Sequence, residues 1–417
     1  MQNADNQSLT TPPTKGGNGS LHKAKRQKND EFYTQYPYIE REVNAYLEYN
    51  PDTFRDKIVL LPCDDPEWSN FTKYFAEKFE ELGLKKLIST SYAPESKNYP
   101  CNTEPTEWEK NSPLFDWAKS KTRGKIFVLE RDTSGDGRIS HDDIEWRYLE
   151  GNGDFNSAEV RKLRDEADII VTNPPFSLFR EFLAWLTEHP KDFLIIGNHN
   201  AITYKEVFPR IMENKMWLGA TCNGQDMVFG VPEGAEVAPK DKQKAEKLGY
   251  KGNYTRLGNS CWYSNMEHGR RHTPMTLLST HDVFKFAKIK ELKGRTSFAH
   301  YDNYDAIEIP RINAIPSDYD GVMGVPITFL EHYCPEQFEI LGATQRGCHD
   351  KVPDTKKYDE YLEMKPDGTP TGSKGGKTNE NANLEMNDGK KNYFIHPQTG
   401  HVVQSAYQRI FIKRITN

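Results

Sequence analysis

Nine residues constrain this chain more than any others: Asp168-Ile169-Ile170-Val171-Thr172-Asn173-Pro174-Pro175-Phe176. An apolar run entered by an acidic residue reads as a buried strand. Two consecutive prolines then fix φ and remove two backbone donors, so the chain leaves the sheet in a rigid turn. From Ser177 to Leu186 the spacing is that of an amphipathic helix, with Ser177 at the cap position. A strand, a turn and a helix put the turn at the carboxyl end of a strand, where open α/β sheets hold their ligands. Asn173 offers a side-chain carbonyl acceptor, Pro174 a backbone carbonyl, and Phe176 an aromatic face. An exocyclic amine on a planar base could donate its two hydrogens to Asn173 and the Pro174 carbonyl, with Phe176 stacked on the ring and Pro175 stiffening the turn. Those acceptors would localise the nitrogen lone pair and aim it at an electrophilic methyl group. The competing reading is an incidental loop, because Asn and Pro are common in turns. The strand before and the helix after favour a site.

The rest of the chain supplies a sheet for that turn. Lys57 to Leu61 is a continuous aliphatic run, the first central strand, and ends in Pro62-Cys63-Asp64-Asp65-Pro66. The glycine-rich turn of nucleotide-binding folds is missing here. Acidic residues stand in its place, able to accept from a cationic amino acid moiety or simply to cap the next helix. Lys85 to Tyr92 is a second strand without the usual acidic ribose ligand. Lys125 to Leu129, Phe193 to Asn198 and Met216 to Gly219 follow, separated by helical patterns. Alternating strands and helices predict a mostly parallel, doubly wound α/β sheet. Residues 222–256 read as a long loop. Ser260 to Asn265 and Thr276 to Leu278 read as paired strands, and between them His268, Arg270, Arg271 and His272 form a basic cluster. Such a cluster suits phosphate contact, or is an ordinary charged turn.

A length of 417 residues predicts two domains with tails. Residues 1–29 read as a disordered basic arm, residues 30–280 as the domain carrying the site, and residues 281–417 as an α+β region with a mobile loop at about 344–391. A net charge of -6 neither advertises nor excludes a nucleic-acid partner, because binding needs a local basic surface. The low mean hydropathy of -0.82 reflects tails and loops, and no apolar run is long enough to cross a membrane. No apolar signal core opens the chain, which predicts a cytoplasmic location. The six cysteines form no Cys-x-x-Cys pair, so neither zinc nor disulfides are expected. Asp132 to Asp143 has the spacing of a calcium loop, but its last position is Asp rather than Glu and a strand precedes it. A Gly/Asp turn is the preferred reading, and no metal is expected.

Several of these segments carry a resemblance. Asn173-Pro174-Pro175-Phe176 is similar to the target-amine motif of adenine-specific DNA methyltransferases, Asn/Asp-Pro-Pro-Tyr/Phe. Phe32-Tyr33-Thr34 resembles the N-terminal cofactor motif of amino-methyltransferases, and Gly151 to Phe155 their adenine-binding motif. With Cys63 to Pro66, Lys73-Tyr74-Phe75, Thr172 to Arg180, Ile195 to Glu206 and Asn303 to Gly342, the chain resembles the EcoRI-type adenine-specific DNA methyltransferases over nearly its whole ordered length. The resemblance implies a Rossmann-like methyltransferase sheet with a C-terminal α+β target-recognition region. It implies S-adenosylmethionine as methyl donor, double-stranded DNA as substrate and a monomer. The donor would lie against Phe32, Tyr33, Thr34, Cys63, Asp64, Asp65 and Pro66, with Asp154 and Phe155 at its adenine. Arg270, Arg271 and His272 would contact DNA phosphates. A solitary methylase, and one paired with a restriction endonuclease acting on the same site without a stable complex, are equally compatible. A protein glutamine or RNA base methyltransferase on the same fold is the alternative substrate reading.

Overall fold

The computed structural model describes residues 32–96, 104–221, 227–232, 237–344 and 355–415. The expected basic arm of residues 1–29 lies outside them, as do Cys101, Cys222 and Cys348. Among the described residues, eleven strands precede residue 265: β1 (Tyr33–Thr34), β2 (Ile58–Leu61), β3 (Lys86–Ser91), β4 (Lys125–Leu129), β5 (Glu145–Tyr148), β6 (Ile169–Thr172), β7 (Asp192–Asn198), β8 (Trp217–Leu218), β9 (Met227–Gly230), β10 (Tyr254–Leu257) and β11 (Ser260–Ser264). Eight of them make one sheet in the order β5-β4-β3-β2-β6-β7-β11-β8.

Only the middle of that sheet is parallel: β3, β2, β6 and β7 run together, and β5, β4, β11 and β8 are antiparallel to their neighbours. The expectation of a mostly parallel sheet is therefore corrected to a mixed one. After β2 the chain moves outward to β3, and later returns to place β6 on the other flank of β2. This is the strand-order reversal at which open sheets form a crevice beyond their carboxyl ends.

Alternation along the central strands explains the burial of both faces. Leu60, Ile88, Ile170 and Ile195 face one core with the helices Ala158–Glu166 and Phe179–Leu186. Val59, Leu61, Leu87, Ile169, Val171, Leu194 and Ile196 face another, with the helices Tyr36–Tyr49 and Asn70–Glu77. Apolar residues at both parities give the continuous aliphatic runs seen in the sequence. A Cβ at Gly197 would fall on the ring of Phe179, so glycine there lets the helix Phe179–Leu186 lie close against β7.

Three local expectations change. Ser177 does not cap its helix: a short 3-10 turn, Phe176–Leu178, intervenes, and the helix begins at Phe179 with no side-chain cap. The segment expected as a long loop contains β9, the helix Pro239–Lys247 and β10. Instead of pairing with 276–278, β11 pairs with β7 and β8.

Beyond residue 280 the described strands are β12 (Ile307–Glu308), β13 (Met323–Pro326), β14 (Phe338–Ala343), β15 (Leu362–Met364), β16 (Pro370–Lys374), β17 (Asn383–Leu384), β18 (Tyr393–Ile395), β19 (Val402–Ser405) and β20 (Arg409–Arg414). A four-stranded sheet β12-β13-β20-β14 packs through Ile307, Met323, Phe338, Ile340 and Ile412 into the same core as the helix Phe179–Leu186. Strands β15 to β19 form a five-stranded sheet, so 355–391 is not the expected mobile loop, while 345–354 lies outside the described residues. No helix among the described residues is long and apolar enough to cross a membrane.

A buried carboxyl ties the N-terminal helix to the sheet. Glu42 is fully buried and accepts from the amides of Ala220 (2.7 Å) and Thr221 (2.8 Å) and from the Thr221 hydroxyl. Burial outweighs these donors and pushes its pKa from 4.5 up to about 7. In that window the folded chain holds a proton that the unfolded chain has released, so stability should fall as pH rises from 4.5 to about 7. Glu42→Ala should remove this slope and cost about 1–3 kcal/mol for each buried amide left without an acceptor. Thermal unfolding across the window checks both.

Candidate functional site

Because β2 and β6 are parallel neighbours, their following turns emerge side by side. The first, Pro62 to Pro66, is wrapped by hydroxyl groups. Thr90 donates to the Pro62 carbonyl (2.9 Å), Thr72 (3.2 Å) and Ser89 donate to the Asp64 carbonyl, and Ser69 donates to Asp64 Oδ1 (2.7 Å). Thr172, the last residue of β6, donates to Asp64 Oδ2 at 2.6 Å. Asp64 is 6% exposed, and its carboxylate accepts a hydrogen bond at each oxygen. Asp65 stays half-buried, with Oδ1 accepting from the Glu67 amide at 2.9 Å. Cys63 is half-buried against the core and Pro66 is buried.

The second turn is Asn173 to Phe176. Pro174 is buried, and Pro175 is extended at φ -54° and ψ 124°. Asn173 Nδ2 donates to the Phe32 carbonyl at 2.7 Å, which fixes the amide orientation. Its Oδ1 is buried and has no hydrogen-bond partner. A buried acceptor without a donor costs free energy, and a ligand donor placed there would recover it.

Phe32 to Thr34 closes over both turns. Thr34 accepts from Asn70 Nδ2 at 2.8 Å, on the helix that follows the first turn, and its own hydroxyl is buried without a partner. β1 pairs with β9, Thr34 opposite Phe229. The rings of Phe32 and Phe176 stack at 5.5 Å between centroids, and Phe229 meets them edge-on at 6.0 and 6.4 Å. Phe229 was missed in the sequence because its strand is four residues long inside a polar, glycine- and lysine-rich stretch; Met227-Val228-Phe229 was the available signal.

The Gly151–Phe155 segment lies beside the end of β3. Ala93 donates to the Asn152 carbonyl at 2.8 Å, and a Cβ at Gly153, whose φ is 82°, would fall on the Ser91 carbonyl. Asp154 Oδ1 accepts from the Asn156 amide at 2.8 Å. Burial and the Asp154 charge raise the pKa of the neighbouring Tyr92. Phe155 is 6% exposed and packs on Phe182 (5.2 Å) and Trp185 (5.7 Å) in the core.

Behind Asp65 sits a buried charged group. Lys125 Nζ pairs with Glu109 at 2.7 Å and lies 3.9 Å from Glu67, which also accepts from the Thr106 hydroxyl at 2.5 Å. Burial, and then the Asp65 charge, push the Glu67 carboxyl up to about 7.

The basic cluster is largely consumed internally. Arg271 is 6% exposed, its guanidinium 3.9 Å from the Trp217 ring, 2.9 Å from Asn214 Oδ1 and 3.0 Å from Glu267. Burial and these partners give Arg271 a structural role in the fold. Arg270 is exposed and donates to the Ala220 and Glu331 carbonyls at 3.0 Å each. His272 lies between Glu336 (2.8 Å) and Glu267 (3.0 Å), stacked on Tyr49. In the Asp132–Asp143 loop the carboxylates face inward: Asp132 accepts from the amides of Gly135 and Gly137, and Asp143 from those of Thr133, Ser134 and Ser140. These amides hold Asp143 well below the usual carboxylate range, as in a Gly/Asp turn. Among the described residues, one group has metal-ligand spacing, Asp302, Glu385 and His401. Lys356 Nζ already stands 3.1 Å from Asp302 Oδ1, so an ion-pair network accounts for it.

The chain matches the family model described as "Adenine-specific methyltransferase EcoRI" over residues 20–415. It is 42% identical over 325 residues to the Type II methyltransferase M.EcoRI of Escherichia coli, covering 78% of this chain and 89% of that protein. It is 33% identical over 322 residues to the Type II methyltransferase M.MpnI of Mycoplasma pneumoniae, covering 77% and 84%. A further relative, Type II methyltransferase M.MgeORF184P of Mycoplasma genitalium, is 33% identical over 323 residues, covering 77% and 85%. No solved structure matches the chain.

The packing of Arg271 makes a testable distinction. Arg271→Ala should lose about 2 kcal/mol of stability through the Trp217 stack and the buried partners. Urea unfolding measures that loss, and binding of duplex DNA per folded molecule should be unchanged.

Proposed function

The chain belongs to the adenine-specific methyltransferase EcoRI family, and we propose that it methylates N6 of adenine at a specific site in duplex DNA, using S-adenosylmethionine, as the modification enzyme of a restriction-modification system. The observation that carries this reading is the Asn173 side chain: oriented by Phe32, with a buried Oδ1 that lacks a donor. An adenine amine has two hydrogens, one for that oxygen and one for the Pro174 carbonyl. With both engaged, the nitrogen lone pair stands out of the ring plane toward the donor side.

A base inside a duplex cannot reach this turn, so the target adenine must be flipped out. Phe176 takes one face of the base, and the Phe32 ring now stacked on it yields that place. No strong general base is needed, because the amine becomes acidic only as the new C–N bond forms. Holding the two reactants in line supplies most of the rate.

The residues around the first turn fit the methyl donor, which when bound supplies an electrophilic methyl group. Asp65 suits its ammonium, the partnerless Thr34 hydroxyl can bond its amino acid end, and Asp154 and Tyr92 stand at the end of β3 for its adenosine end. In this reading residues 32–280 form a Rossmann-like catalytic region, and the sheets beyond 281 bear the loops that recognise the DNA site.

Incubation with labelled S-adenosylmethionine and mixed-sequence duplex DNA, followed by digestion to nucleosides, tests the proposal. Label should appear in N6-methyladenine and fall at least ~100-fold in Asn173→Ala. Label on protein or RNA alone, or no donor binding at all, would overturn it. The raised Glu67 pKa adds a second expectation. Ionisation of Glu67 as pH rises through about 7 places a negative charge beside Asp65. Affinity for the cationic donor should therefore rise with pH through this range, and Glu67→Gln should flatten the rise in binding calorimetry.

A further inference from the structure

We propose that Asp64 and Thr172 form a positioning pair that sets the distance between the two halves of the reaction, the donor turn after β2 and the acceptor turn after β6. The inference rests on the methyl-transfer reading above and gives Asp64 a different task from holding the cofactor.

The backbone leaves a gap that this pair spans. The β2–β6 ladder registers Val59 with Ile169 and Leu60 with Ile170, and goes no further. Both turns lie beyond its end. Across the interval, Thr172 Oγ1 donates to Asp64 Oδ2 at 2.6 Å, a short charge-assisted bond between groups that are 0% and 6% exposed. Thr172 immediately precedes Asn173, so its side chain anchors the backbone from which the amine acceptor projects.

Asp64 in turn is held from other directions. Its amide donates to the Thr90 carbonyl on β3 at 3.0 Å. Its carbonyl accepts from Thr72 and Ser89. Oδ1 accepts from Ser69, which caps the helix Asn70–Glu77 by accepting from the Phe71 amide at 3.1 Å. Asn70, the first residue of that helix, holds the Thr34 carbonyl. One carboxylate thus references the acceptor turn to β3, to the first helix after the donor turn and to the N-terminal segment. A turn with flexible glycines could not hold such a reference, and this turn has none. In-line transfer is sensitive to displacements of about 1 Å, so the pair acts on turnover more than on the affinity for either substrate.

Thr172→Val keeps the shape of the side chain and deletes the donor, Thr172→Ser keeps the donor, and Asp64→Asn removes one acceptor oxygen. Each is compared with wild type in steady-state methylation of duplex DNA, alongside thermal unfolding. The expected result is a ~10–100-fold loss of kcat in Thr172→Val, with KM for donor and DNA within ~3-fold. Thr172→Ser should stay within ~3-fold of wild-type kcat, and Asp64→Asn should lose kcat in the same sense as Thr172→Val. If Thr172→Val does not fold, the Asp64→Asn kcat decides alone. Wild-type kcat in the folded variant, or a rise in KM with kcat unchanged, would overturn the positioning pair and leave the methyltransferase reading intact. Failure of wild type to methylate duplex DNA would overturn both.

Discussion

The parallel pairing of β2 with β6 is the constraint from which the rest of the site follows. Parallel neighbours end at the same edge of a sheet, so the chain after each must turn outward at the same place. The two turns then differ in how they obtain rigidity. The turn after β6 is stiffened covalently, by two proline rings. The turn after β2 has little internal stiffness beyond Pro62 and Pro66, and is instead packed in side-chain hydroxyls from two strands and a helix. A hydroxyl both donates and accepts, which lets a small buried volume satisfy carbonyls and a carboxylate together.

The N-terminal segment completes the site from the opposite side of the sequence. Phe32 to Thr34 contributes a carbonyl to Asn173, another to Asn70, and a strand edge to β9. Its position is guarded by the helix Tyr36–Tyr49, whose Glu42 holds the backbone just after β8. The amide acceptor, the aromatic roof and the first helix are therefore one mechanical unit, although Asn173 lies 141 residues from Phe32 and Thr221 lies 179 from Glu42.

Much of this was legible in the sequence where physics is local. The aliphatic runs of β2, β3, β4, β6 and β7 and the Asn-Pro-Pro-Phe turn are each specified by neighbours within a few residues. What was not legible depends on partners far away. Arg271 reads as a phosphate ligand until Trp217 and Tyr333 are seen around it. Thr172 reads as the polar end of a strand until Asp64 is beside it. Strands such as β9 and β15 to β17 are short and lie in polar, glycine- and lysine-rich stretches, and become strands only through the edges they join, so composition marked them as loops. Asp64 and Asp65 are adjacent and chemically alike, and only their burial separates them.

The five-stranded sheet has a further consequence for how such a chain can change. It leaves the four-stranded sheet after Ala343 and returns at Ile410, and those two residues are register partners. Entry and exit are thus neighbours, so the excursion is a branch grafted on a closed stem. Lengthening or shortening such a branch costs only the slow logarithm of loop closure, roughly 0.6 kcal/mol per doubling. Its seat is more exacting: Asn303 holds Asn381 and Asn383, and Tyr358 donates to Asp302. Evolution can therefore exchange the branch cheaply at its root, provided that each newcomer brings side chains to fill the same socket.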